Sequence, residues 1–228
     1  MSETISIASP EGHAFDAYVT SPAGARAVPA ILVAPSIFGV TDGLKQTLDR
    51  YASHGFHAVA ADPFWRTHPG PLDQPDDMAA ARQRSSEWKV EQGLSDMRAT
   101  LATIATLPNW NGKFAVLGFC FGGIHAMLGL TQLGADASVA FHGVQMQNHL
   151  DGAERITKPY SFHFAEEDPV VPLDHVEQVR RALPAGGGEI YVYAGAGHGF
   201  AQVEAAKFHP AAAALAERRA FAVLEQLK

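Results

Sequence analysis

The sequence predicts an α/β fold built on a mostly parallel sheet, and three observations predict it. Short apolar runs alternate with helical patterns through most of the chain, which calls for parallel strands with helices on both faces. Ala30-Ile31-Leu32-Val33-Ala34 is apolar at every position, as a strand covered on both sides is. Gly118-Phe119-Cys120-Phe121-Gly122-Gly123 lies between the apolar run Phe114 to Leu117 and a helical pattern starting near Ile124. That is a strand, a tight turn and a helix.

Each element follows from the residues in order. Ile5, Ile7, Phe15 and Tyr18 alternate around Pro10-Glu11-Gly12-His13, which reads as an antiparallel hairpin. The strand at 30–34 ends at Pro35. A loop from Ser36 to Val40 follows, and Thr41 or Asp42 is placed to cap a helix that carries Leu44, Leu48 and Tyr51 and stops at Gly55. Phe56 to Ala60 is a second strand, ending in Asp62-Pro63. The stretch from Phe64 to about Pro75 is long for a compact domain and is expected to cover a site. One long helical stretch comes next, with Leu94, Met97, Leu101 and Ile104 forming a stripe. Pro108 to Gly112 turns into the central strand. After the turn at Cys120, Ile124, Met127, Leu128 and Leu130 continue a buried helix to Gly134. Strands follow at Ala137 to Phe141, Tyr160 to Phe164 and Ile190 to Tyr193, with a helix marked by Val176, Val179 and Leu183 between the last two. An Ala-rich helix closes the chain, with Leu215, Val223, Leu224 and Leu227 expected at its inner face.

Composition bounds the function. The 228 residues are read as a single domain, 1–228; 47% apolar and 18% charged describe an ordinary globular protein. A net charge of −7 argues against nucleic acid and anionic membranes as partners, because both select for clustered Lys and Arg. No apolar run approaches the roughly 18 residues that span a bilayer. Met1 to Thr4 lacks the basic-then-apolar pattern of a secretion leader, and one cysteine cannot form an internal disulfide. The expected compartment is a reducing cytoplasm.

The chemistry is read from the strand ends, where open parallel sheets bind ligands. Three ends carry Cys120, Asp168 and His198, in the chain order nucleophile, acid, histidine that α/β-hydrolases use. Glycine flanks Cys120 because a nucleophile on a strained turn leaves no room for neighbouring side chains. His198 would take the thiol proton and return it to the leaving group, with Asp168 fixing the imidazole tautomer. Alternatives remain for the acid: Glu166 or Glu167 stands close by, and Asp168 would also suit a helix cap. The oxyanion hole of such a site uses the N–H after the nucleophile and one after an early strand, here Phe121 and Ile37. A metal site at His163, Asp168 and His198 is the rival chemistry, but no His-x-x-Glu-His or Cys-x-x-Cys spacing supports it. Neither glycine signature of a phosphate-binding loop opens a helix, so no cofactor is expected.

These residues resemble the dienelactone hydrolase family of α/β-hydrolases over nearly the whole chain. The likeness runs through Glu11-Gly12-His13, Ile37-Phe38-Gly39-Val40, Asp62-Pro63, Asn111-Gly112-Lys113, the Gly118 to Gly123 turn, Asp168 and Gly195-Ala196-Gly197-His198-Gly199-Phe200-Ala201. The resemblance implies hydrolysis of an enol-lactone through an acyl-thiol on Cys120, with a small ester or lactone as the partner and a monomer or small homo-oligomer as the assembly. It also implies substrate contacts at Ser36, Phe38, Arg82, Trp88 and Gln202, with Arg84 as the alternative to Arg82 and packing as the alternative for Trp88. Two departures stand out. The family carries Glu where this chain has Ser36, and an Arg that binds the substrate carboxylate where this chain has Gln202. Losing that bidentate anchor suggests neutral or differently shaped substrates. A member of the fold that binds a small molecule without turnover is the second function class, and hydrolysis by a Cys120→Ala variant discriminates the two.

Overall fold

The computed structural model describes residues 2–24, 26–74 and 76–228; Met1, and Pro75 at the expected end of the long loop, lie outside them. The chain divides into two compact units, 1–114 and 115–228. In the first, strands β1 (Ser2–Ala8) and β2 (Ala14–Thr20) form the hairpin, with Ile7 opposite Phe15. β2 pairs antiparallel with β4 (His57–Ala61), and β4 pairs parallel with β3 (Val28–Ala34). Both faces of β3 are buried, which is why its apolar residues are continuous.

Helix α1 (Asp42–Ser53) is capped by Thr41, whose Oγ1 accepts from the Leu44 N–H at 3.2 Å. Its buried stripe, Leu44, Leu48 and Tyr51, faces β2 and β4. The stretch expected as one long helix is two, α2 (Met78–Glu87) and α3 (Val90–Ile104). Trp88 and Lys89 are extended between them, with ψ of 141° and 134°. The break lets the Trp88 ring fold back over Gly93, where a Cβ would lie 2.0 Å from Trp88 Cζ2. Packing of a large ring against a glycine wins here over helix continuity.

A buried cation holds the loop that follows β4. Arg84 is 1% exposed. Its Nε donates to the Ile37 carbonyl at 2.8 Å, and one terminal nitrogen donates to the carbonyls of His68 (2.9 Å) and Gly70 (2.7 Å). The guanidinium also lies over the Phe64 ring at 4.4 Å. Asp62 ties the same loop from the strand end, accepting from the N–H groups of Phe64 (2.9 Å) and Gly70 (2.6 Å). Arg84 thus joins α2 to two loops.

The second unit takes β5 (Trp110–Phe119) from its Ala115 onward and adds β6 (Ala137–Phe141), β7 (Tyr160–Glu167) and β8 (Gly188–Gly197), each parallel to the one before. Helices α4 (Gly122–Gln132), α5 (Leu173–Ala182) and α6 (Pro210–Leu224) complete it. The core contains Met127, Phe162, Phe164, Val176, Val179 and Ile190. The inner face of α6 is Ala212, Ala216, Ala220 and Leu224 rather than Leu215 and Val223, which are half-buried. Small side chains at four-residue steps let α6 lie close against β6 and β7. Among the described residues no helix is long and apolar enough to cross a membrane.

Truncating Arg84 to Ala removes the donor from three carbonyls and opens a cavity beside Phe64. The expected loss is about 2–4 kcal/mol, the usual range when a buried hydrogen-bonded network is broken, read as a lower urea midpoint with an unchanged m-value.

Candidate active site

β5 ends at Phe119, and Cys120 follows with φ of 53°. A non-glycine residue in the left-handed region costs on the order of 1 kcal/mol or more and persists only where its surroundings impose it. Three main-chain bonds impose it. The Cys120 N–H donates to the Phe141 carbonyl at 3.0 Å, and the Cys120 carbonyl accepts from Gly123 and Val144, each at 2.9 Å. The flanking glycines have steric reasons. A Cβ on Gly118 would lie 2.0 Å from the Gly122 carbonyl oxygen, and one on Gly123 would lie 2.4 Å from Gly143 Cα. Helix α4 starts at once, at Gly122, so the free thiol of Cys120 stands at a helix N-terminus. Phe121, whose side chain is buried, occupies the cap position of α4.

Two further strand ends bring partners to this sulfur. After β7, Asp168 is buried, and one oxygen accepts from the N–H groups of Val170 (2.8 Å) and Val171 (3.0 Å). Its other oxygen, Oδ2, accepts from His198 Nδ1 at 2.7 Å. His198 Nε2 in turn is within hydrogen-bond distance of Cys120 Sγ, at 3.2 Å. One carboxylate oxygen thus closes a local turn and the other meets His198; the cap position of α5 is Pro172, so Asp168 is not its cap. Glu166 is exposed and accepts from the Gly195 N–H at 3.0 Å; Glu167 is exposed too. His198 sits on a tight turn closed by Phe200 N–H to Gly197 C=O at 3.1 Å, with Gly199 at φ 85°. That turn aims the ring back over the sheet end.

The electrostatics follow from burial and pairing. Burial alone would push the His198 imidazole down. The hydrogen bonds to Asp168 and Cys120, with their charges, more than offset this and raise it to about 10. Burial would raise Asp168, but the His198 hydrogen bond and charge, with the two backbone donors, hold it below the ordinary carboxylate range.

One residue at the site was not singled out from sequence. His142 follows directly on β6, at φ 41°, and is fully buried. Its ring meets His198 edge-on, with centroids 4.9 Å apart and planes at 76°. Its Nε2 bonds Gln202 Oε1 at 3.1 Å. The signal was available, because His142 stands at a strand carboxyl end as Cys120 and Asp168 do. His163, imagined as a metal ligand, has both ring nitrogens engaged, with Ser161 Oγ at 2.7 Å and the Tyr193 hydroxyl at 2.9 Å.

The dienelactone hydrolase family model matches residues 15–228. This chain belongs to that family. A carboxymethylenebutenolidase of Pseudomonas putida is 32% identical over 232 residues, covering 100% of this chain and 98% of that protein. Carboxymethylenebutenolidase 1 of Cupriavidus pinatubonensis is 30% identical over 236 residues, covering 100% and 98%. A candidate dienelactone hydrolase of Klebsiella pneumoniae, known from its crystal structure, superposes with a TM-score of 0.88 at 26% identity, covering 99% of this chain and 98% of that one. The fold is that of the α/β-hydrolases, and the dienelactone hydrolase family makes this chain a hydrolase.

The positions where this family member departs from the pattern have local partners of their own. Ser36 is buried, and its Oγ accepts from the Phe38 N–H at 3.3 Å. With Arg84 on the Ile37 carbonyl, both ends of the Ile37–Phe38 peptide are tied, which sets the orientation of that loop. Phe38 is buried. Arg82 is exposed on α2, and Trp88 is half-buried over Gly93. Gln202 bonds His142 and presents no cation.

Two outcomes follow from this geometry. Gly118→Ala is expected to displace the turn, with thermal stability lowered by several degrees and any activity lost, checked by calorimetry beside an esterase assay. Asp168 contributes stability above its ordinary pKa of 3.8, and this is lost as pH falls through its lower folded value. Asp168→Asn should therefore flatten the fall in urea midpoint measured between pH 5 and 2.

Proposed function

We propose that this chain is a cysteine hydrolase of small carboxylic esters or lactones, working through an acyl-thiol intermediate as one single-domain enzyme of the cytoplasm. The observation that carries the reading is the continuous chain from Asp168 Oδ2 through the His198 ring to Cys120 Sγ, at 2.7 and 3.2 Å. A nucleophile, a base and an orienting acid within hydrogen-bond reach make up the arrangement that acyl transfer needs.

The steps follow from these atoms. The Cys120 thiolate, with the His198 imidazolium as its counter-ion, attacks the carbonyl carbon and forms a C–S bond. Charge passes to the carbonyl oxygen, where the Phe121 N–H at the start of α4 is the expected donor, and the Ile37 N–H is expected from the resemblance to the family. The intermediate collapses by breaking the C–O bond, and the leaving oxygen takes the proton from His198 Nε2. The sulfur is now an uncharged thioester, so the imidazole loses one of the two partners that raise it and becomes a base. It takes a proton from water, the new hydroxide attacks, the C–S bond breaks, and the thiolate returns. Asp168 stays ionised and holds Nδ1–H throughout. From a lactone both product oxygens remain on one molecule.

Substrate choice is inferred from two side chains. Gln202 is engaged with His142, and Ser36 with the Phe38 N–H. Neither supplies the charge that the resemblance leads one to expect at its position. Neutral esters and lactones are therefore favoured over carboxylate-bearing ones.

Cys120→Ala is expected to lower ester hydrolysis at least about 10³-fold, the scale seen when a covalent nucleophile is removed, with ligand binding retained. Residual turnover near that of the native chain would overturn the cysteine mechanism. Steady-state rates on p-nitrophenyl acetate should exceed those on a carboxylate-bearing dienelactone, and the reverse order would overturn the substrate preference. His198 keeps its proton below about pH 10. His198→Asn, which removes the ring beside the sulfur, should slow alkylation of Cys120 by iodoacetamide at pH 7 at least several-fold.

A further inference from the structure

We infer that His142, anchored by Gln202, is a positioning residue for His198: its buried ring buttresses the imidazole that lies between Asp168 and Cys120. The inference rests on the triad reading above and adds a fourth side chain to it.

Geometry carries the argument. His142 sits on a strained left-handed backbone at φ 41°, where a histidine is uncommon. Its N–H donates to the His163 carbonyl at 2.7 Å, which fixes the start of the side chain against β7. The ring is wedged between aromatic neighbours: His198 at 4.9 Å, Phe200 at 5.9 Å and Phe119 at 6.3 Å. No solvent reaches it. One ring nitrogen is held by Gln202 and the other, Nδ1, has no hydrogen-bond partner. A histidine so placed offers shape and a fixed neutral edge.

The groups facing it set its charge. His198 lies against it from the turn after β8, and Asp168 acts on it from the end of β7. Burial, reinforced by the positive charge of His198, holds the His142 imidazole down at about 3; the Gln202 hydrogen bond and Asp168 offset this only in part. Its neighbour β7 contributes His163, which burial also holds at about 3. Of the three imidazoles only His198 is cationic at neutral pH. The proton that serves the leaving group is thereby assigned to one ring.

Gln202 acquires a role from this. Its side-chain oxygen faces Nε2, so the ring proton sits there. An arginine at 202 has no acceptor and cannot make this bond.

The test uses the full chain with four variants: His142→Ala, His142→Phe, Gln202→Leu and Cys120→Ala as the blank. Two readouts are taken, kcat and KM on p-nitrophenyl acetate and the rate of Cys120 alkylation from pH 5 to 9. His142→Ala should lower kcat about tenfold or more with KM within twofold, and should make alkylation fall on acidification. His142→Phe, which keeps the ring but loses the Gln202 bond, should recover part of both and match Gln202→Leu. Gln202→Leu should lower kcat several-fold by releasing His142. If His142→Ala leaves kcat and the alkylation profile within twofold of the native chain, the inference is wrong. If His142→Phe is as impaired as His142→Ala, the nitrogens act directly and the positioning role is likewise wrong. Should His142→Ala fail to fold, His142→Phe and Gln202→Leu decide between the same outcomes. A native chain that alkylates as expected yet hydrolyses no ester would refute the proposed function alone, because alkylation reads the His198–Cys120 pairing without turnover.

Discussion

The parallel register of the second unit is the constraint on which the site depends. Phe119, Phe141, His163 and Tyr191 are direct partners on β5, β6, β7 and β8. Their rings stack in one row, with centroid spacings of 5.1, 5.0 and 5.4 Å and planes within 19° of parallel. The Arg219 guanidinium from α6 closes the row at 3.9 Å over Tyr191. Such a row fixes how far each strand extends, because a slip of one residue would send a ring to the opposite face. Cys120 and His142 are the next residues after two members of the row. Asp168 and His198 leave from the strands that carry the other two. Side chains from distant segments meet here because the strands that deliver them are locked together one step earlier.

Much of this was legible from residue type and order. The strand at 137–141 matches β6 residue for residue, since a run apolar but for Ser138, set between Asp136 and His142-Gly143, leaves little freedom. Cys120, Asp168 and His198 were legible because each is a reactive type at a strand end, in a fixed chain order. Other features were hidden for physical reasons. His142 was passed over because 11 histidines dilute the signal of any one, and its burial depends on aromatic neighbours from β5 and the turn after β8. The break at Trp88 was invisible because it is driven by a ring finding a glycine five residues on, and local helix propensity carries no trace of that. The leucines read from sequence mark the rim and end of the inner face of α6, while its centre is alanine, because close approach of a helix to a sheet selects small side chains.

The first unit shows the same economy with charge. Arg84 is taken out of water with Nε and one terminal nitrogen on carbonyls and its plane over a ring; its other terminal nitrogen has no hydrogen-bond partner, and Asp62 and Asp77 act on it through charge alone. Arg66, by contrast, pairs with Asp96 at 2.6 Å and Glu11 at 2.7 Å, joining the loop after β4 to α3 and the first hairpin. These two cations hold in place a loop that has little regular structure of its own. A loop of that length would otherwise cost considerable conformational entropy to order.

The turn at Cys120 is shaped by main-chain bonds and by glycines that keep space empty, and none of these involves sulfur. Position and reactivity are therefore separable at this residue. The scaffold dictates where an attacking atom stands and is indifferent to which element it is. A change of a single atom at this point would alter the chemistry's pace while leaving the architecture untouched, which gives such a framework an easy path between thiol and alcohol nucleophiles over evolutionary time.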